Sequence, residues 1–227
     1  MINKIVQTLA EAMIGIRDGS VVLLGGFGSI GLPYALVDGL LEQGAKDLTV
    51  VANNAGVGRV GLAKLLEAGR VRKIVCSYPR TSDPAAFVDA FRAGRVELEV
   101  MPQGTMAERM RAAGAGIPAF YTATSVGTKL AEGKEHRKFG DREYVLEESL
   151  PGDVALIEAW EADRWGNLTY RSSARNFNPV MATAAKLTIA QAQHIVELGT
   201  LDPEKVATPG IFVQRVLHLP YGEPSIT

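Results

Sequence analysis

Three groups of residues stand out in this 227-residue sequence for the chemistry they could do. They are a glycine-rich run, Gly25-Gly26-Phe27-Gly28-Ser29-Ile30-Gly31, an amide pair, Asn53-Asn54, and Gln103 held between Pro102 and Gly104. Glycines let a backbone come close to a bulky ligand and point N–H groups at it, and a helix starting just beyond adds the positive end of its dipole. A phosphate suits such a place, and so does an acyl or thioester oxygen. Side-chain amides are neutral hydrogen-bond donors, so they can hold an oxyanion without changing protonation. Other chemistries are poorly supplied. His136, His194 and His218 lie far apart and form no metal-spaced pair. There is no G-x-S-x-G elbow for a serine hydrolase. Cys76 sits in the apolar run Ile74-Val75-Cys76 and reads as buried rather than reactive. Glu97 and Glu99 share a strand face that alternates with apolar residues, the pattern of a solvated face, and Lys134-Glu135-His136-Arg137-Lys138 reads as a solvated hairpin or an interface strand.

These groups need elements to carry them, and the pattern supplies strands and helices in alternation. Apolar residues from Ile2 to Ile16 recur at helical spacing. Residues 21–24 then form a short apolar strand, and Pro33 opens a helix that runs to about Gln43 and stops at Gly44. Strands follow at 48–51, 74–76 and 96–100, with helices near 62–66, at 85–92 and at 105–113. Repeated βα units of this kind predict an α/β fold with an open, mostly parallel sheet and flanking helices. Gln103 then falls in a loop at the carboxyl edge of that sheet. Beyond Gly116 shorter β-rich pieces appear at 144–147, 154–159 and 168–170, then a helix near 179–185 and strands at 186–190 and 211–217. With no Pro/Ser-rich linker and no repeat, residues 1–227 read as a single domain, with about 116–153 an excursion from the main sheet and 218–227 a tail.

Composition narrows the setting. The 24 basic residues balance 25 acidic ones, so nothing favours nucleic acid. One cysteine excludes an internal disulfide and suits a reducing cytoplasm, and the first residues lack the build of a secretory signal. Residues 19–37 carry no charge, but five glycines and Pro33 break the stretch into strand, turn and helix start rather than a membrane span.

Gly26-Phe27-Gly28-Ser29-Ile30-Gly31 matches G-x-G-x-x-G between a strand and a helix, which raises NAD binding by an oxidoreductase as one possibility. That fold wants an acid about 20 residues on, where this chain has Ala52-Asn53-Asn54, and a second match at Gly56-Val57-Gly58-Arg59-Val60-Gly61 also lacks one. A turn whose glycines merely relieve crowding is the simpler alternative.

A longer pattern goes further. Asp18-Gly19, then three aliphatics, Gly25-Gly26-Phe27 and Gly31-Leu32-Pro33 resemble the motif of the A (alpha) half of family I CoA-transferases. The blocks Val51-Ala52-Asn53-Asn54-Ala55-Gly56, Pro102-Gln103-Gly104-Thr105, Ala107-Glu108-Arg109, Gly114-Ala115-Gly116-Ile117-Pro118-Ala119-Phe120, Gly140-Asp141-Arg142-Glu143-Tyr144-Val145-Leu146-Glu147 and Ala174-Arg175-Asn176-Phe177-Asn178-Pro179 are similar to further family blocks, so the resemblance spans about residues 3–217. It implies a NagB/RpiA/CoA transferase-like fold and transfer of CoA through a glutamyl thioester. The family's nucleophilic glutamate lies in a Ser-Glu-Asn-Gly motif of the B half; no Glu here precedes Asn, so a beta subunit should bring it. By resemblance Gln103 stabilises oxyanions, while Gly25, Gly26, Phe27, Gly28, Gly31, Asn53, Asn54 and Gly104 line the substrate and CoA site, Phe27 as pocket wall or as core. The resemblance implies coenzyme A as substrate, no other cofactor, no metal, and an α2β2 or larger hetero-oligomer. Asp163-Arg164-Trp165-Gly166-Asn167-Leu168 is similar to the 3-oxoadipate enzymes of aromatic-ring degradation, which implies succinyl-CoA as donor and 3-oxoadipate as acceptor, with acetoacetate as the rival acceptor.

Overall fold

In the computed structural model, which describes residues 2–220, the helical periodicity at the start does not become one helix. Ile5 and Val6 form a short strand, β1 (Ile5–Val6), paired in parallel with Val216 and Leu217. Thr8 then caps a single-turn helix, α1 (Leu9–Ala12), by accepting the Glu11 N–H on its hydroxyl. The spacing favours a helix, but Ile5 and Val6 are adjacent apolar residues, and their pairing with a distant strand overrides local propensity.

Four βα units follow as the alternation requires: β2 (Val21–Leu24), α2 (Tyr34–Gln43), β3 (Leu48–Asn54), α3 (Leu62–Glu67), β4 (Val71–Tyr78), α4 (Ala85–Arg92), β5 (Glu97–Val100) and α5 (Gln103–Gly114). All four strands run parallel. Helix α2 ends where Gly44 takes the left-handed conformation, φ 95°. The chain next leaves this sheet and builds an antiparallel one from β6 (Ala119–Thr122), β7 (His136–Phe139) and β8 (Arg142–Glu148), in the order β6-β8-β7. It returns as β9 (Gly152–Ala162), which pairs in parallel with β2, and finishes with β10 (Leu168–Thr169), α6 (Asn178–Ala184), β11 (Ala185–Ile195) and β12 (Arg215–His218). The large sheet has the order β1-β12-β11-β9-β2-β3-β4-β5, with β10 antiparallel on β9.

The last strand starts later than its hydropathy suggests. Gly210–Phe212 form a 3-10 turn, and pairing begins at Arg215. His218, at the head of the expected tail, belongs to β12, and Leu219 donates its N–H to Ala192 O at 2.9 Å. Residues 221–227 of that tail lie outside the described residues.

Both faces of the large sheet are covered, which is why its strands read as unbroken apolar runs. Val22, Leu24, Val50, Ile74 and Cys76 pack with residues of α1 to α4, while Leu23, Val51 and Val75 pack with Met106 and Met110 of α5 and Met181 of α6. Cys76 is fully buried and burial pushes its thiol up to about 11, so it stays protonated at neutral pH. The uncharged stretch 19–37 is divided among β2, a turn and α2, and no helix among the described residues is long and apolar enough to cross a membrane.

Strand order reverses between β2 and β9, since β2 leads outward to β5 on one side and β9, β11 and β12 lie on the other. Ligands of open α/β sheets bind in the crevice beyond the carboxyl ends of strands at such a switch. At the opposite end Asp153 ties the strand starts together, accepting the Val21 N–H and the Lys186 ammonium, each at 2.9 Å. The Val21 N–H first, then Lys186, hold its carboxyl below the ordinary value of 3.8. A depressed folded-state pKa adds stability above that value, and the gain is lost as pH falls through the lower one. Asp153→Asn should therefore lower the thermal midpoint at pH 7, with the gap to the parent closing as pH drops below 3.8; equal midpoints at pH 7 would remove Asp153 as a seam contact.

Candidate active site

Three strand ends meet where β3, β4 and β5 finish. Asn53, next to last in β3, is 5% exposed, and its Oδ1 accepts from Ser77 Oγ of β4 at 3.1 Å and from Gln103 Nε2 at 2.7 Å. The Ser77 hydroxyl also reaches Asn53 O at 3.1 Å, so the Asn53 side chain is fixed before Gln103 docks on it. Gln103 is not a loop residue. It is the first residue of α5, with Pro102 at the N-cap (φ −59°, ψ 139°). Pro102 and Gly104 look like breakers in sequence, yet a proline at a helix entrance loses no hydrogen bond, because the first N–H groups have no helical partner.

A primary amide carries two N–H groups, and Asn53 takes one from Gln103. Gln103 is exposed, so its second N–H is open to an acceptor arriving from solvent or from a partner. Asn53, Ser77 and Gln103 carry no titratable group, and the donor keeps its character across the working pH range.

What holds α5 is ionic. Arg109 donates from Nε to Glu148 O at 2.6 Å, and its Nη1 lies 3.7 Å from Glu99 and 3.9 Å from Glu147. Glu147 is 2% exposed and is also bonded by Lys134. A buried carboxylate is tolerable only when paired, and here the pairing fastens α5 to the small sheet. Glu99 also meets Lys73 at 2.6 Å, so it is half-buried and paired rather than simply solvated.

Asn54 turns elsewhere. Its Oδ1 accepts the Gly56 N–H at 2.9 Å, an Asx turn that shapes the β3–α3 connection. The two asparagines adjacent in sequence thus part company, one meeting Gln103 and one closing its own turn.

The glycine run lies after β2 at the switch point. Phe27 and Ile30 exchange backbone hydrogen bonds of 2.9 and 3.2 Å, closing a tight turn in which Gly28 has φ 63°. The close approach that these glycines allow is largely to the chain itself. A Cβ on Gly25 would sit 1.8 Å from Asn178 Oδ1, and one on Gly31 would sit 2.7 Å from Ala174 O. Gly26 has Leu32 at 3.2 Å, whereas Gly28 and Gly104 have nothing within 4 Å. Among the described residues the N–H groups of Gly28 and Ser29 take no partner, so this tip is where the run can meet a ligand. Phe27 is 49% exposed beside Ile30 at 51%, a rim residue rather than core.

Two residues to which the sequence pattern assigns no role set the shape of this turn. Asn178, fully buried, accepts the Glu158 N–H at 3.1 Å and donates to Gly31 O at 3.1 Å and Ala174 O at 2.8 Å. Asn176 accepts from Gly26 N at 3.2 Å and donates to Ile30 O at 3.1 Å. Their signal in sequence was the block Ala174-Arg175-Asn176-Phe177-Asn178-Pro179. Ser77 left no such signal.

The second G-x-G-x-x-G stretch folds alike, with Val57 bridged to Val60 and Gly58 at φ 58°. A Cβ on its Gly61 would lie 2.5 Å from Leu32 Cδ2, so the two turns pack side by side.

Known proteins resemble this chain along nearly its whole length. Residues 6–219 match the family model described as coenzyme A transferase. The alpha-type (A) chain of 3-oxoadipate CoA-transferase from Pseudomonas putida is 59% identical over 96% of this chain and 94% of its own length. The corresponding A chain of the probable succinyl-CoA:3-ketoacid coenzyme A transferase of Bacillus subtilis is 52% identical over 95% and 90%. The chain belongs to the coenzyme A transferase family. It is thus one component of a transferase, and a dinucleotide-binding oxidoreductase is set aside. The crystal structure of glutaconate coenzyme A-transferase from Acidaminococcus fermentans shares the fold, with a TM-score of 0.85 at 24% identity over 96% of this chain and 76% of that one.

In this transferase Gly25 and Asn178 form one packing unit. Gly25→Ala should cost about 2–4 kcal/mol, and Asn178→Ala, which strands buried backbone groups, about 3 kcal/mol. In the Asn178→Ala background the added methyl of Gly25→Ala has room, so the double variant should be markedly less destabilised than the sum. Denaturant unfolding of the four proteins gives the coupling, and strict additivity would disprove the shared space.

Proposed function

We propose that this chain is the alpha subunit of a CoA-transferase that moves CoA from succinyl-CoA to 3-oxoadipate, in a heteromeric enzyme whose nucleophilic glutamate is on the beta subunit. The observation that carries this is near full-length identity to relatives named as the A component of 3-oxoadipate CoA-transferase. A chain with no Glu-Asn dipeptide, and a site made of neutral donors, supports a nucleophile arriving from outside. The setting is the cytoplasm and aromatic-compound breakdown, the assembly α2β2 or a larger hetero-oligomer, and coenzyme A enters as substrate with no further cofactor.

The chemistry needs no net proton transfer. The partner's carboxylate attacks the thioester carbonyl of succinyl-CoA, and the tetrahedral oxyanion collapses by expelling CoA thiolate and leaving a mixed anhydride. The thiolate attacks the glutamyl carbonyl of that anhydride, releasing succinate and leaving a glutamyl thioester. The 3-oxo acid then runs the sequence in reverse: its carboxylate attacks the glutamyl thioester and expels CoA thiolate, and the thiolate attacks the acyl carbonyl of the new anhydride, releasing the 3-oxoacyl-CoA and the glutamate carboxylate. Every step passes through an oxyanion, and none asks for an acid or base. The free N–H of Gln103 serves both directions because an amide donates equally well before and after each collapse. Asn53 and Ser77 keep it in position, and Gly28 and Gly104 leave room for the acyl chain.

The decisive assay mixes this chain with its beta subunit, with succinyl-CoA as donor and 3-oxoadipate or acetoacetate as acceptor. Transfer should appear only in the mixture and favour 3-oxoadipate. Gln103→Ala should lower kcat by about 10²–10³ with little change in formation of the complex. Preference for acetoacetate would move the chain to the 3-ketoacid branch, and turnover by the chain alone would refute the heteromeric assignment.

A further inference from the structure

The charged run Lys134-Glu135-His136-Arg137-Lys138, expected as a solvated hairpin or an interface strand, takes no part in the site. The small sheet divides it between two sides. Register sets those sides: Val145 stands beside Thr122 and His136, and Glu147 stands beside Phe120. Val145 and Glu147 are buried, and Glu147 is the carboxylate that Arg109 of α5 meets, so this side packs on the body of the protein. On the opposite side Tyr121 stands beside Leu146, Tyr144 beside Arg137 and Arg142 beside Phe139. That side stays open, with Phe139 47% exposed. Its rings are organised rather than scattered. Phe139 meets Tyr121 and Tyr144 edge to face, with ring centres 5.3 and 5.4 Å away. Arg137 lies over Phe139 at 5.2 Å and Arg142 over Tyr144 at 5.7 Å. Clustered aromatic and arginine side chains are the anchors that protein interfaces favour.

Charge decides which partner fits. Along β8 the open side reads Arg142, Tyr144, Leu146 and Glu148. On β7 Arg137 is level with Tyr144, and Glu135, whose carbonyl takes the Leu146 N–H at 2.9 Å, is level with Leu146. Both strands thus carry arginine on one side of the His136–Val145 pair and glutamate on the other. Among the described residues none of these four charged groups forms an ion pair, whereas Glu147 and Glu143 on the other side pair with Lys134 and His136. Consider a two-fold axis lying between two such faces and running across the strands at the His136–Val145 level. It stacks β8 on β8 and β7 on β7 in opposite directions. Arg142 then falls opposite Glu148, Arg137 opposite Glu135 and Tyr144 opposite Leu146, each match made twice. Stacked sheets run nearly aligned about 10 Å apart, a gap that facing Arg and Glu side chains span. A surface that complements itself is what a two-fold pair of identical chains requires.

We propose that the open face of the small sheet is a two-fold contact between two copies of this chain. The contact goes beyond the reaction proposed above and does not depend on it, because its test reads assembly and not turnover.

Analytical ultracentrifugation of the full chain, alone and assembled with its beta subunit, supplies that test. The assembled enzyme should sediment as a species holding two copies of this chain. Arg142→Glu sets glutamate against glutamate in both halves of the contact and should raise the dissociation constant of that pairing at least about tenfold. Glu148→Arg should do the same. Mixing the two singly reversed chains in equal amounts should bring the pairing back, because the reversed positions then face each other and the native ones do likewise. A chain carrying both reversals should pair with itself for the same reason, and either recovery shows that the variants fold. Unchanged pairing in the single reversals would overturn the contact, as would a mixture and a doubly reversed chain that both stay apart. Reversals that loosen the beta subunit, with no recovery on mixing, would assign the face to that subunit and overturn the proposal too. So would an assembled enzyme holding one copy of this chain.

Discussion

The parallel seam between β2 and β9 is the constraint on which this structure depends. Val22, Leu23 and Leu24 pair with Val154, Ala155 and Leu156, joining the consecutive βα units to strands that come much later in the chain. Strand order reverses at that seam, and beyond Gly25, whose N–H still bonds Leu156 O of β9, the turn after β2 is held by side chains. The support is Asn178, whose amide fills the place a Gly25 Cβ would occupy and bonds Gly31 on one side and Glu158 on the other. An amide can offer donor and acceptor together, which is what strand-end backbone needs when it is buried without a ladder partner.

A second consequence is the division of labour among neutral groups. Buried carboxylates in this chain are structural: Glu147 sits between Lys134 and Arg109 and fastens α5 to the small sheet. At the strand ends the polar groups are amides and a hydroxyl, joined as Ser77, Asn53 and Gln103. Exchange between two carboxylates and two thioesters is symmetrical in charge, so no group at the site has to gain or lose a proton as it proceeds. A site that does not titrate keeps the same hydrogen-bonding character through both half-reactions. The chain thus contributes shape and dipoles, in keeping with the proposal that the charged nucleophile comes from a partner.

The paired turns after β2 and β3 carry the third theme. Each is a four-residue bridge with glycine in the left-handed conformation, and each puts apolar side chains at its rim, with Phe27, Ile30 and Val60 about half exposed. Their likeness follows from a shared task, which is to bring a strand end back into a helix within a few residues while staying clear of the neighbouring turn. Leu32 against Gly61 is where that clearance is tightest.

Much of this was legible in the residues themselves. The βα rhythm from Val21 to Gly114, the helix stop at Gly44 and the burial of Cys76 follow from local periodicity, glycine chemistry and hydrophobicity, which act over a few residues. The early Ile and Val positions did not reveal their fate, because their spacing favours a helix and the adjacent pair Ile5-Val6 becomes a strand only when the distant β12 claims it. Gln103 and Asn53 could be singled out by type and resemblance, but their 2.7 Å bond joins residues fifty positions apart. The same holds for Asn178 under Gly25. The sequence by itself determined the βα alternation from Val21 to Gly114, the supply of neutral donors and the family. Only the tertiary structure decided which asparagine faces Gln103, and which glycines are filled by the chain and which left open, because each depends on atoms that meet across the sheet rather than along the chain.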